Sequence, residues 1–371
     1  MNILILILLS VVVLSILVVV HEFGHFIIAK RAGVLVEEFG IGIPPRVWGK
    51  KIGETLYSIN AIPLGGFVRL HGETGSDTIF DPKRAYINKH PLQKAAIVIA
   101  GIVMNFVFGV VCFAAIYSFI GVPKIESLGH VEIVDVSSSS AAQTAGIISG
   151  DIVKTINNKE VKTDDEFVQI IADNKGKKIN LVLLRNNEEI KVTANLKNVD
   201  PKDGALGVAI RDSVETTYFP PLWQRPFVGA YYGVLQSIEL SKAIFTGLGG
   251  IAQDATAGKV PQAVAGPVKL FAIIAYFISS GLLMTVNLMA VISINLAIFN
   301  ILPIPPLDGS RLATIIGEAI FGRKMAPKIE NFVNTAGMAL LLILVIAVTF
   351  REVPEFIQAG SLAKFVEGIL Q

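Results

Sequence analysis

Of the 371 residues, 52% are hydrophobic and 17% charged, and the mean hydropathy is +0.62. That balance excludes an ordinary soluble domain and points to several membrane spans plus one modest polar domain. A net charge of +2 without a basic tract gives no sign of a nucleic-acid partner, and a single cysteine, Cys112, excludes a disulfide framework or a Cys-rich metal site.

From Met1 to Val20 nothing is charged, and only Asn2, Ser10 and Ser15 are polar. An apolar helix of that length can cross a bilayer. It has no basic n-region and no small-residue cleavage site at its end, so it reads as a retained span and not a signal peptide. The run ends in His21-Glu22-Phe23-Gly24-His25, an H-E-x-x-H pattern. Four apart on a helix, His21 and His25 share one face and can reach a single metal ion. Glu22 is then the candidate to take a proton from water at that metal. Ionisable groups at the end of a span are costly and default to a functional reading. This first membrane helix is assigned to 1–30.

Residues 31–93 hold short β-like runs rich in Gly and Pro. Leu56-Tyr57-Ser58-Ile59 and Gly66-Phe67-Val68-Arg69-Leu70 flank Pro63-Leu64-Gly65-Gly66 and read as a hairpin or paired loop. Lys30, Arg31, Arg46, Lys50, Lys51, Arg69, Lys83, Arg84, Lys89 and Lys94 cluster here, and the positive-inside rule makes the segment cytoplasmic. The H-E-x-x-H motif then lies near the cytoplasmic face. A second span comes next at 94–121, where Gly101, Asn105 and Gly109 recur every four residues and open one face to a neighbouring helix. Asn105 stands open between interhelical glue and a role at the site.

The stretch 124–210 changes character. Val131 to Val136 alternates like a strand, Thr163-Asp164-Asp165-Glu166 is a capping box, and Asn157-Asn158 and Asn186-Asn187 mark turns. It reads as a small α+β domain outside the membrane. Residues 215–270 form a linker with a helix from Tyr231 to Ile251, placed at the membrane surface because Glu239 and Lys242 interrupt it. In the third membrane segment, 271–309, Gly281 is a break before a span over about 281–302, and the piece before it stands open as an interfacial or re-entrant helix.

That span ends in Asn300-Ile301-Leu302-Pro303-Ile304-Pro305-Pro306-Leu307-Asp308-Gly309. The prolines end the helix and force an extended path, tolerable at membrane depth only against protein or a wet cavity. Asp308 taken alone is the N-cap of a helix over Gly309–Phe321. Taken with the motif at 21–25 it is the third ligand that a catalytic zinc requires. A connection at 310–328 leads to a fourth span at 329–351 and an amphipathic tail at 352–371. The whole is a multi-pass α-helical membrane protein of about four transmembrane helices, with a cytoplasmic-side membrane-associated β region and an inserted α+β domain.

In His21-Glu22-x-x-His25, Gly101-x-x-x-Asn105 and Asn300-x-x-Pro303-x-x-x-Leu307-Asp308-Gly309, taken in that order along the spans, the chain resembles the site-2 protease family of intramembrane zinc metalloproteases, its bacterial RseP-type members in particular. Ala145-Gly146-Ile147-Ile148-x-Gly150-Asp151-x-Val153 makes the insert similar to a bacterial PDZ domain. The resemblance implies Zn2+ held by His21, His25 and Asp308, with Glu22 as catalytic base. It implies substrate contacts at Asn105, Asn300 and the Gly65-Gly66-Phe67 element, Asn105 holding substrate or stabilising the oxyanion. It further implies a bacterial inner membrane location, single-span membrane protein substrates such as anti-sigma factors or remnant signal peptides, and a peptide C-terminus at the PDZ-like domain. Two features depart from many relatives: there is room for one PDZ-like domain, and Ser310-Arg311 stands where many have Gly-His. Readings of a different class are an inactive PDZ scaffold, which has no need of Glu22, and a metal transporter, which the folded outer domain does not suit.

Overall fold

The uncharged, proline-free run after Asn2 dictates one long helix, and in the computed structural model α1 spans Ile3–Arg31, its start capped by the Asn2 side chain. The structure describes residues 2–73, 78–198, 204–256, 266–322 and 327–370; the parts of the expected segments at 74–77, 199–203, 257–265 and 323–326 lie outside the described residues. The chain's own contacts divide it into two units, Met1–Ile120 with Pro220–Gln371, and Gly121–Phe219.

In the first unit α1 leads into two long strands, β1 at Val36–Ile52 and β2 at Thr55–Leu70, turning at Gly53 where φ is +63°. Their register differs from the expected hairpin. Leu56–Ile59 and Gly66–Leu70 do not pair with each other; they flank Glu38–Ile41 on its two sides. Arg46–Ile52 then folds back on Thr55–Asn60, so two chain segments make four antiparallel rungs. Pairing through a third segment is a non-local choice that the local pattern of turns and alternation does not carry. Ser15 Oγ of α1 donates to the Pro63 carbonyl at 2.8 Å and ties the loop between rungs to the membrane helix.

A 3-10 turn at Tyr86–Asn88 precedes α2, Pro91–Ile120. Beyond the second unit come α5, Arg225–Thr256; α6, Pro267–Ser279; α7, Leu282–Ile301; α8, Asp308–Phe321; α9, Pro327–Ala359; and α10, Leu362–Leu370. Among the described residues four helices are long and apolar enough to cross a membrane: Leu4–Arg31, Pro91–Ile120, Leu282–Ile301 and Phe332–Ala359. The break expected at Gly281 is there, at φ +115° between α6 and α7.

One element gains a partner the sequence did not indicate, and two differ from the sequence reading. The helix expected at a membrane surface runs antiparallel along α2: Gly229 closes against Ala114 and Ser118, Gly233 against Val110 and Ala114. Two glycines four apart let backbones approach that closely, and Leu240, Ile244 and Leu248 pack against the buried cluster that includes Cys112, Phe113 and Ile116 of α2. The fourth span extends through Pro354 to Ala359, so the first part of the expected tail belongs to α9 and only α10 is separate. Asp308 is the first residue of α8 and does not cap it; Leu307 holds the cap position, with no side-chain bond.

The second unit contains β3, Val122–Val136; α3, Ala141–Thr144; β4, Ile152–Ile156; β5, Lys159–Glu160; α4, Asp164–Asp173; β6, Lys178–Arg185; β7, Glu188–Asn195; and β8, Val208–Tyr218. The antiparallel sheet runs β7-β6-β4-β3-β8, with β5 on β4. Asn157, Asn158, Asn186 and Asn187 all take positive φ, as two-residue hairpin turns require. Thr163 caps α4 by accepting from Glu166, and Glu166 accepts from Lys162 N–H. Apolar faces of sheet and helices enclose one core around Ile133, Ile156, Phe167, Leu181 and Leu183.

Candidate metal centre

One turn of α1 separates His21 from His25, and both rings emerge on the side that faces α2. Space for them exists because α2 carries Gly101 there: a Cβ at that position would strike both imidazoles. Gly24 performs the complementary service, lying against the Ala100–Gly101 backbone so closely that no side chain fits. The two helices therefore touch backbone to backbone at the motif.

The third group comes from the far end of the chain. After α7 the prolines keep the chain out of helix, and Leu307 N–H closes a turn onto the Ile304 carbonyl at 2.8 Å. Gly309 then packs on the carbonyls of Ile301 and Leu302, again with no room for a Cβ. This fold-back starts α8 beside the end of α7 and delivers Asp308, 287 residues from His21, with Oδ2 at 3.0 Å from His21 Nε2. Oδ2 is 3.2 Å from His25 Nε2, and the two Nε2 atoms are 3.1 Å apart. Among the described residues these three side chains form the group able to hold a metal ion. Three corners of a tetrahedron with bonds of ~2.0–2.1 Å stand about 3.3 Å apart. The donors therefore fit a zinc-sized ion with one corner left for water or substrate.

The outer nitrogens are also engaged. His25 Nδ1 lies 2.8 Å from the Ile97 carbonyl, and His21 Nδ1 lies 3.2 Å from the Asn105 amide. Ile97, Gly101 and Asn105 are successive positions on one face of α2, which thus backs the whole motif.

Two cavities meet at His21, Glu22 and Asp308. One, of about 220 Å3, is lined also by His25, Val68, Glu73, Tyr86 and Arg311. The other, of about 270 Å3, is bordered by Val18, Asn105, Leu296 and Asn300. Arg311 is paired with Glu73, so a charged pair from α8 and the chain after β2 borders the first cavity. Glu22 belongs to both.

Of the residues singled out in the sequence, His21, Glu22, His25, Asp308, Asn105 and Asn300 converge here. Gly66 comes close, since a Cβ on it would sit 3.6 Å from Glu22 Cγ. Gly65 borders neither cavity and serves the turn, at φ +90°. Phe67 turns away: its ring covers Gly40 and meets the Arg69 guanidinium at 5.9 Å. Glu73, Tyr86 and Arg311 were not singled out as site residues. Arg311 alone carried a signal, standing three residues after Asp308 on the same helix.

The sequence profile of peptidase family M50 matches residues 9–344. The chain is 34% identical over 349 residues to a Clostridium acetobutylicum protein whose name places it among zinc metalloproteases, covering 94% of this chain and 97% of that one. It is 32% identical over 353 residues to the chloroplastic membrane metalloprotease ARASP of Arabidopsis thaliana, covering 90% and 76%. Identity to the zinc metalloprotease RasP of Bacillus licheniformis is 28% over 426 residues, covering 92% and 97%. Among solved structures, a PDZ domain of an SdrC-like protein from Listeria monocytogenes aligns at 19% identity and a TM-score of 0.21, covering 23% of this chain and 90% of that one.

Proposed function

The chain belongs to peptidase family M50 and is a zinc-dependent intramembrane metalloprotease, and from that premise we propose that His21, His25 and Asp308 are its zinc ligands and Glu22 its catalytic base. The observation that carries this is the 3.0–3.2 Å triangle of donor atoms joining the first helix to a turn 287 residues away. Bound there, zinc supplies Lewis-acid polarisation of a carbonyl and lowers the pKa of a water. Glu22, which borders both cavities, takes the proton from that water and returns it to the leaving amine.

A helical substrate hides its carbonyls in internal hydrogen bonds and must unwind before a peptide bond can be attacked. Among the described residues Gly66–Leu70 pairs on one side alone, with β1, and its Gly66 end passes Glu22. We assign it the capture of the unwound strand, whose added hydrogen bonds offset the cost of unwinding. Asn300, in the second cavity, supplies amide contacts to the same backbone. The first cavity, with Glu73 and Arg311 in its lining, is the route for water.

The ten basic residues between 30 and 94 support a site near the cytoplasmic face of a bacterial inner membrane, with the 121–219 unit outside. The substrates this suits are single-span membrane proteins, anti-sigma factors and remnant signal peptides among them. The test is bound zinc and cleavage of a single-span reporter by the wild type and Glu22→Gln in detergent. Zinc kept and cleavage lost is the expected result; unchanged cleavage sinks the assignment of Glu22.

A further inference from the structure

A neutral histidine that meets a metal through Nε2 carries its proton on Nδ1, and a buried N–H of that kind needs an acceptor. For His25 the acceptor is plain, the Ile97 carbonyl at 2.8 Å. For His21 the facing group is the Asn105 side chain at 3.2 Å. There the polarity is wrong as oriented: the amide nitrogen, a donor, faces Nδ1, while Asn105 Oδ1 is buried without a partner. Asn105 is itself wholly buried. A half-turn of the amide exchanges its oxygen and nitrogen without changing the space it fills. Turned, Oδ1 accepts the His21 Nδ1 proton, and this buried, unpartnered oxygen gains its bond.

On the reading that His21 binds zinc through Nε2, we infer that Asn105 is a positioning residue for His21: its side-chain carbonyl holds the Nδ1 proton, sets the tautomer and keeps the ring aimed at the metal. This differs from the expectation that Asn105 contacts substrate. The backbone supports it. Ser293 Oγ of α7 donates to the Asn105 carbonyl at 2.8 Å and pins this turn of α2. Together with Ile97, Asn105 gives each metal-facing histidine its own acceptor from one helix face. The turned amide places its NH2 where Oδ1 now lies, on a residue that borders the second cavity.

The experiment uses the full chain in detergent and measures zinc affinity by competition with a chromophoric chelator, for the wild type, Asn105→Leu and Asn105→Asp. Loss of an outer partner of a metal-bound histidine weakens affinity about 10- to 100-fold, and that loss is expected for Asn105→Leu. Asn105→Asp keeps the acceptor and makes it more basic, so its affinity is expected to rise above the wild-type value. Wild-type affinity in Asn105→Leu with cleavage lost would mean a substrate contact and overturn the inference. Should Asn105→Leu fail to fold, an Asn105→Asp affinity no higher than wild type overturns it instead. A wild type that binds no zinc strikes at the family reading, a different outcome from one that binds zinc indifferently to residue 105.

Discussion

The imidazole of His25 occupies the space that a Cβ on Gly101 would need. The same Cβ would come 2.9 Å from His21 Cε1, closer than side-chain carbons stand to such neighbours. Gly101→Ala is therefore expected to push both rings off their positions, lowering zinc affinity about tenfold or more. Chelator competition on the purified chain reads this directly. Wild-type affinity would show that the rings can retreat without losing the ion.

A second glycine contact predicts a stability effect away from the centre. Glu352 on α9 is 1% exposed and accepts from Gly266 N–H at 2.6 Å, Val268 N–H at 3.0 Å and Lys269 N–H at 3.2 Å. A carboxylate from one helix thus satisfies the orphan donors that begin another, α6. Glu352→Ala is expected to cost on the order of 1–3 kcal/mol, the desolvation of donors left unpaired. Glu352→Gln, which keeps one acceptor oxygen, is expected to cost less. Thermal unfolding in detergent ranks the two, and an equal loss from both would deny the carboxylate any advantage.

The spacing of the site was legible in the sequence where one helix turn encodes it. His21 and His25 face the same way because they are four apart, and Ile97, Gly101 and Asn105 do so for the same reason. Asp308 could be read only together with the motif at 21–25: alone it reads as a helix cap, and beside two histidines in a charge-poor membrane region it reads as a ligand. The β region was not legible in its pairing. Leu56–Ile59 and Gly66–Leu70 each bond to Glu38–Ile41, a choice made by register across distant segments. Glu73 was hidden because a lone acid in a loop looks like solvated surface until it is seen paired with Arg311, whose own signal was its place three residues after Asp308. The partner of α5 escaped because Gly229 and Gly233, which let its backbone close on α2, read as ordinary helix positions until the facing helix is known.

The second unit carries a pH dependence of its own. Burial alone would raise the Asp151 carboxyl. Arg185 outweighs it, with Nε at 2.7 Å and Nη2 at 2.8 Å, helped by Ile148 N–H at 3.0 Å, and the group sits below its usual range. A lowered folded value means stability that is fully present above the unfolded value, near ~3.9, and lost as pH falls through the folded value. Hydrogen exchange in β4 and β6, corrected for intrinsic rates, is expected to stay level from neutral pH to about 5 and to lose protection below about 4. Asp151→Asn should be less protected at neutral pH and flatter across the range. A wild-type profile in that variant would remove the ion pair as the cause.

A substitution at Gly66 tests the binding of metal and the binding of substrate separately. A Cβ there would lie 3.1 Å from the Gly40 carbonyl, 3.6 Å from Glu22 Cγ and 3.8 Å from Val18 Cγ1, so a branched side chain would project into the gap between the strand edge and the Glu22 carboxylate. Those nearest atoms belong to none of the three zinc-facing side chains. If an unwound substrate runs along Gly66–Leu70, Gly66→Val closes its path while leaving His21, His25 and Asp308 in place. Cleavage of a single-span reporter is expected to fall by about 100-fold or more, the scale on which a misplacement of about 1 Å acts on catalysis. Zinc affinity is expected to stay within about twofold of wild type, and that difference between readouts is the signature. Equal loss of both would mean that the strand supports the metal centre, while full cleavage would mean that the substrate approaches by way of Asn300 without using this edge at all.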